Sequence, residues 1–184
     1  PPQKEQVRAH GGARAARRAG PPPRPRPPLF GPEPSPTAAL SALDIVESEG
    51  LPLDRVVVSH MDQDHDAMQD LSTHKRIADR SAYIEFDQWD AWDMYLADKQ
   101  HAYPSDATRV DATVELVDDG YTDRLLLSHD ICTKMQLVNY GGKGYAYLPD
   151  RVLPRLRSLG VSEAELRTIV EANPKRVLEF AEGE

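Results

Sequence analysis

Cys132 is the only cysteine in this 184-residue chain. An internal disulfide is therefore excluded, and the composition fits a reducing, cytoplasmic setting. No apolar run approaches the roughly 18 residues of a membrane-spanning helix, and no apolar stretch of the secretory-signal kind stands at the N-terminus, so no membrane partner is expected. Positive charge is also in short supply. The net charge is −8, and residues 1–36 take seven of the Lys and Arg against two of the Asp and Glu, which leaves fifteen basic and twenty-eight acidic residues for the remainder. A phosphate-binding face needs a basic patch, so the sequence argues against a nucleic-acid partner for the folded part. Sequence repeats are lacking apart from one echo, RVVVSH at Arg55–His60 and RLLLSHD at Arg124–Asp130.

Residues 1–36 differ from everything after them. Eleven of the sixteen prolines lie here, and twenty-two of the first twenty-eight residues are Pro, Arg, Ala or Gly. Such a segment cannot bury enough apolar surface to offset the entropy of ordering it. It reads as a disordered tail, or as an out-of-frame gene start joined to a genuine domain. Its PPPRPRPP core also has the form of a polyproline ligand.

From Thr37 the pattern is globular, and residues 37–184 read as one domain. Ala39, Leu40, Ala42, Leu43 and Val46 form a helical stripe that Gly50 and Pro52 terminate. Val56–Val58 are a strand. Asp64 or Asp66 is placed to cap a helix over 67–79 with Met68, Leu71 and Ile77 on its inner face, and Ala82–Phe86 form the next strand. A long loop, Asp87–Ser105, carries Trp89, Trp92, Tyr95, His101 and Tyr103, and loops of that length usually have a function. Asp106 opens a helix with Val110, Val114 and Val117 on one face and Gly120 at its end. Leu125–Leu127, apolar on both faces, suit a parallel strand covered on both sides. Residues 151–159 and 163–172 read as helices, the second opened by a Ser162/Glu165 capping box. Alternating helices and strands of this kind make a parallel sheet with right-handed crossovers. His60 and Asp130 then stand at the same, C-terminal end of that sheet, where α/β barrels keep their chemistry.

The strings RVVVSHMD, AYIEFDQWD, DRLLLSHDICTKMQLVNYGGKGYAY and ANPKRVL resemble the last three barrel strands and terminal helices of the phosphotriesterase family in the amidohydrolase superfamily. They are most similar to the phosphotriesterase-related branch and the phosphotriesterase-like lactonases. The likeness covers residues 37 to 180 and is not seen in residues 1–33. It implies an α/β fold forming the C-terminal part of a (β/α)8 TIM barrel, strands six to eight with their helices, in a chain shorter than the roughly 250 residues a whole barrel takes. It also implies hydrolysis of a small-molecule ester, lactone or phosphotriester by a hydroxide shared between two metal ions, usually Zn2+. His60 occupies the position of a ligand to one ion. Asp130 occupies that of a ligand to the other, which also handles the proton of the hydroxide. Imidazole and carboxylate suit zinc, and two ions acidify a shared water to near neutral pH.

The departures from the family are large. Its His-x-His pair has no counterpart among the six histidines, its strand-four lysine or glutamate has none either, and the strand-five histidine position, about 29 residues before His60, falls on Gly31. Two ligands do not hold a catalytic zinc tightly. The resemblance therefore leaves two readings, a metal-dependent hydrolase and a non-catalytic fragment whose open sheet pairs with another chain, a homodimer included. Individual residues carry alternatives too. His60 could be an ordinary strand-end histidine, and Asp130 a turn residue. His129 should point to the opposite face, His65 and Asp66 fit helix capping better than a metal site, and Cys132 has no histidine placed to activate it. Trp89, Lys134 and Tyr140 are the candidates for substrate contact, and Gly141, Gly142 and Gly144 supply backbone freedom for the last loop.

Overall fold

The computed structural model describes residues 29–32, 36–90 and 103–179. Four strands, β1 (Leu29–Pro32), β2 (Val56–Ser59), β3 (Tyr83–Phe86) and β4 (Leu125–Leu127), form one sheet in the order β1-β2-β3-β4. Every pairing is parallel, with Gly31 opposite Val58, Val58 opposite Ile84, and Ile84 opposite Leu125. Three strands lie where the sequence places them, and β1 is a fourth inside the segment assigned to a tail. A helix begins at Pro36, the last residue of that segment.

Helix α1 (Pro36–Ser48) buries Ala39 and Leu43, one turn apart, and ends where Gly50 takes φ +72° and the Leu51 N–H reaches back to the Val46 carbonyl. Helix α2 (Ser72–Asp79) is shorter than expected. Asp64 does accept the Ala67 N–H at 2.8 Å, but the turn it caps closes at once, and Asp70 accepts the Ser72 N–H at 2.9 Å to begin the helix afresh. Met68, Leu71 and Ile77 are buried as the pattern requires. Helix α3 (Asp106–Asp118) is capped by Ser105 rather than Asp106, the Ser105 Oγ accepting the Thr108 N–H at 3.2 Å.

Past β4 the chain runs through two interrupted helices. The first is α4 (Leu153–Ser158), entered through a wide π turn at Leu148–Val152. The second comprises α5 (Glu163–Arg167), a π turn at Thr168–Ala172 and α6 (Asn173–Leu178). Each wide turn precedes a proline, Pro154 and Pro174, whose ring removes an N–H and crowds the carbonyl four residues back, so the helix widens instead of breaking. Ser162 and Glu165 form the capping box in both directions.

The sheet separates two apolar clusters. Val56, Val58, Ile84, Phe86, Leu125 and Leu127 pack against the helices, whereas Val57, Tyr83 and Leu126 share the other face with Val177. Above that small cluster the inner face turns polar, where the Ser59 Oγ donates to Glu85 Oε2 at 2.5 Å.

Candidate active site

Parallel strands end together, so the turns after β2, β3 and β4 share one edge of the sheet. The ladder runs slightly past the strands, with Met61 N–H on the Glu85 carbonyl and Ser128 N–H on the Phe86 carbonyl. Beyond it the backbone turns sharply. His60 has φ +60° and Asp130 φ +43°, two of the four non-glycine residues with positive φ among the described residues, and Asp90 at +61° is a third on the same edge. A side chain held in that region costs on the order of 1 kcal/mol, and such strain gathers at functional sites.

His60 is held by Asp87. Its Nδ1 stands 2.9 Å from Asp87 Oδ1, and its backbone N–H donates to Asp87 Oδ2 at 3.3 Å. The hydrogen bond to Asp87 is the largest influence on the ring and raises its pKa above the ordinary histidine value; burial opposes this, and the charges of Asp87, Asp130 and Asp62 support it. With Nδ1–H given to the carboxylate, Nε2 is the nitrogen left with a lone pair. Gln88 links the two candidate donors. Its Nε2 lies 3.1 Å from Asp130 Oδ2, 3.2 Å from Asp87 Oδ1 and 3.1 Å from His60 Nδ1. The structure thus brings His60 and Asp130 to one side chain.

Beneath them lies a buried ion pair. Asp62 and Arg109 are both fully buried, with Arg109 Nε donating to Asp62 Oδ2 at 2.7 Å. Asp62 also accepts the backbone N–H groups of Asp87 at 3.3 Å and Gln88 at 2.9 Å, which ties the turn after β3 to the turn after β2. Burial, the largest influence, pushes the Asp62 carboxyl up, and the Arg109 guanidinium opposes it. Arg109 further donates to the Pro104 carbonyl at 2.5 Å and to Asp106 Oδ1 at 3.3 Å, so α3 is anchored to the same post.

The remaining candidates separate. Trp89 is 1% exposed, packs in the main core and donates its Nε1–H to the Phe86 carbonyl at 3.1 Å. The carbonyl at the end of β3 thus satisfies its only polar atom. Trp92, Tyr95 and His101 lie outside the described residues. Lys134 and Tyr140 are exposed and close to each other, the ammonium 5.5 Å from the ring centroid. His129 is half-buried; its Nε2 accepts the Leu148 N–H at 3.1 Å, and burial is the chief cause of its lowered pKa. His65 and Cys132 are exposed.

The loop after β4 is wound around Gln136. The Gln136 Oε1 accepts the N–H groups of Cys132 and Thr133, both at 2.9 Å, and its Nε2 donates to the Asp130 carbonyl at 3.2 Å. A Cβ on Gly142 would fall 2.2 Å from the Gln136 carbonyl carbon, so close backbone approach fixes the glycine there. Lys143 reaches Asp90 at 2.9 Å and the Tyr147 hydroxyl donates to Asp106 at 2.6 Å, tying this loop to the one after β3.

Asp62, Asp87, Gln88 and Arg109 were not singled out from sequence. Arg109 left a signal: it shares a stripe of α3 with Thr113 and Leu116, and a cation at a core position requires a buried anion. Asp87 left another, a carboxylate just past a buried strand, as Asp130 is. The candidate donors His60 and Asp130 fit zinc in kind, an imidazole with its other nitrogen bound to a carboxylate being the usual arrangement for a ligating histidine. In number they fit only part of a zinc shell, and no group of three His, Cys, Asp or Glu among the described residues could hold an ion. No described helix is long and apolar enough to cross a membrane.

The sequence profile of the phosphotriesterase family, generally one of metal-dependent hydrolases, matches residues 3–178. That match passes through the proline-rich segment, so the likeness is not confined to residues 37 to 180. An N-acetyltaurine hydrolase of Dictyostelium discoideum is 32% identical over 145 residues, covering 78% of this chain and 38% of its own. Of solved structures, a resiniferatoxin-binding protein from Rhodobacter sphaeroides has a TM-score of 0.76 and 39% identity, over 84% of this chain and 43% of that one. A lactonase from Listeria monocytogenes has a TM-score of 0.68 and 27% identity, over 84% and 45%. The chain spans less than half the length of each of these relatives. With a parallel sheet that superposes on their barrels and a profile match over nearly all of its length, the chain belongs to the phosphotriesterase family.

Proposed function

We propose that the edge holding His60 and Asp130 is part of the active site of a metal-assisted hydrolase that opens an ester, a lactone, a phosphotriester or an N-acyl amide. The family supports the reaction class. The lactonase and the N-acetyltaurine hydrolase among its relatives support the lactone and amide members of that substrate range. The observation that carries the reading is the convergence of His60 and Asp130 on Gln88.

His60 would present Nε2 to one zinc ion and Asp130 a carboxylate oxygen to the other, and zinc, when bound, supplies acidified water at near neutral pH. The chain's own groups then have definite tasks. Asp87 keeps the His60 proton on Nδ1. Gln88 holds Asp130 Oδ2 and so fixes the direction of the carboxylate, whose remaining lone pairs would serve the metal and the proton of the attacking water. Lys134 and Tyr140, exposed on the loop that begins at Asp130, meet the substrate.

A second reading, that the 184-residue chain on its own is a non-catalytic fragment, is favoured by the donor count. Zinc titration and turnover distinguish the two. If His60 and Asp130 are donors, zinc uptake by the chain should be weak and should fall in both His60→Ala and Asp130→Asn; equal uptake by the wild type and both variants overturns the donor assignment. With two donors, we expect no turnover of aryl esters, lactones, phosphotriesters or N-acyl taurines by the chain alone with zinc or cobalt. Metal-dependent turnover that disappears in Asp130→Asn would refute the second reading.

A further inference from the structure

We propose that Gln88 is a positioning residue that fixes Asp130 and His60 relative to each other; the proposal rests on the donor reading above and deepens it. A primary amide has two hydrogens, and the two carboxylate oxygens beside Gln88 Nε2, Asp87 Oδ1 at 3.2 Å and Asp130 Oδ2 at 3.1 Å, account for both. The opposite orientation would aim the amide oxygen at two anions, so the hydrogen-bonding chemistry selects the amide direction. His60 Nδ1, also 3.1 Å from Gln88 Nε2, is then a neighbour and not an acceptor, because its own hydrogen goes to Asp87 Oδ1 at 2.9 Å. The result is a chain, Asp130 to Gln88 to Asp87 to His60, in which every hydrogen bond has one donor and one acceptor.

Gln suits this place for two reasons. Its NH2 puts partial positive charge between two carboxylates that would otherwise repel across the site. It also neither gains nor loses a proton near neutral pH, so the spacing it sets does not change with proton transfer at Asp130. The side chain can hold two partners because it is itself held. Gln88 is 3% exposed, and its backbone N–H is fixed at 2.9 Å on Asp62 Oδ2, which Arg109 fixes from the other side at 2.7 Å. The buried ion pair thus supports the site through Gln88, though neither Asp62 nor Arg109 touches His60 or Asp130 by any described hydrogen bond.

The test uses the whole chain with two near-isosteric replacements, Gln88→Met, which removes both donors, and Gln88→Glu, which places an acceptor before two carboxylates. In the metal-free protein, assigned NMR spectra should show the Asp130 carboxyl carbon resonance shifted in both variants, beyond the change at carboxylates remote from the site, with His60 still protonated on Nδ1. Titration with zinc alone should show affinity weakened about tenfold to a hundredfold in Gln88→Met, the usual cost of losing a group that orients a ligand. An unmoved Asp130 resonance in both variants, or unchanged zinc affinity in Gln88→Met, overturns the proposal. A wild-type chain that takes up no zinc overturns the donor assignment instead, and the Asp130 resonance then decides the role of Gln88 alone.

Discussion

Replacing Arg109 with methionine removes a cation from a fully buried ion pair while keeping most of the side-chain volume. Arg109 donates to Asp62 Oδ2 at 2.7 Å, the Asp62 carbonyl at 3.4 Å, the Pro104 carbonyl at 2.5 Å and Asp106 Oδ1 at 3.3 Å. Both members of the central pair are 0% exposed, so water cannot take over for the lost partner. Breaking such a pair from one side costs about 3–5 kcal/mol, because a buried charge is left uncompensated. The backbone N–H groups of Asp87 and Gln88 stay on Asp62, which places the expectation toward the lower end. Urea unfolding followed by circular dichroism should show that loss, and thermal unfolding should fall by about 6–20 °C, at about 2–4 °C per kcal/mol for a chain of this size. The double variant Asp62→Asn with Arg109→Met removes the stranded charge and should recover part of the loss. A cost below about 1 kcal/mol for Arg109→Met, the range of an exposed pair, would refute the reasoning.

His74 gives a pH dependence. It is buried, its Nε2 hydrogen bonds to the Met61 carbonyl at 2.7 Å, its Nδ1 has no partner, and burial is the main cause of its lowered pKa. The unfolded chain therefore takes up the proton first as pH falls through about 6.5, so the His74 contribution to stability is complete above that pH and declines below it. His74→Gln keeps an N–H for Met61; its unfolding free energy should fall less than that of the wild type between pH 8 and pH 5, and parallel curves would dismiss the account. Gly142→Ala places a Cβ against the Gln136 backbone at 2.2 Å. It should cost about 1–3 kcal/mol as the loop shifts and should speed amide exchange at Gly144, whose N–H is held by the Gln136 carbonyl at 2.8 Å; unchanged exchange would show that the loop does not depend on this close approach.

Features that depend on near neighbours in the chain were legible in the sequence. Runs apolar on both faces at Val56–Val58 and Leu125–Leu127 suit covered parallel strands, and the Ser162/Glu165 box and Gly50 set helix ends through groups a few residues apart. Because parallel strands share polarity, the same patterns suffice to place His60 and Asp130 at one edge. Residues 29–32 escape such reading because a strand four residues long, among prolines, shows no periodicity of its own and gains its hydrogen bonds only from the neighbouring Val56–Ser59. How the site is held is a matter of tertiary structure alone. Asp62 meets Arg109 across 47 residues, and Gln88 meets Asp130 across 42. The burial that leaves Arg109 with Asp62, and Trp89 with the Phe86 carbonyl, exists only after helix and sheet have packed. No local pattern encodes those partners, because a buried polar group is satisfied by whatever the fold sets beside it.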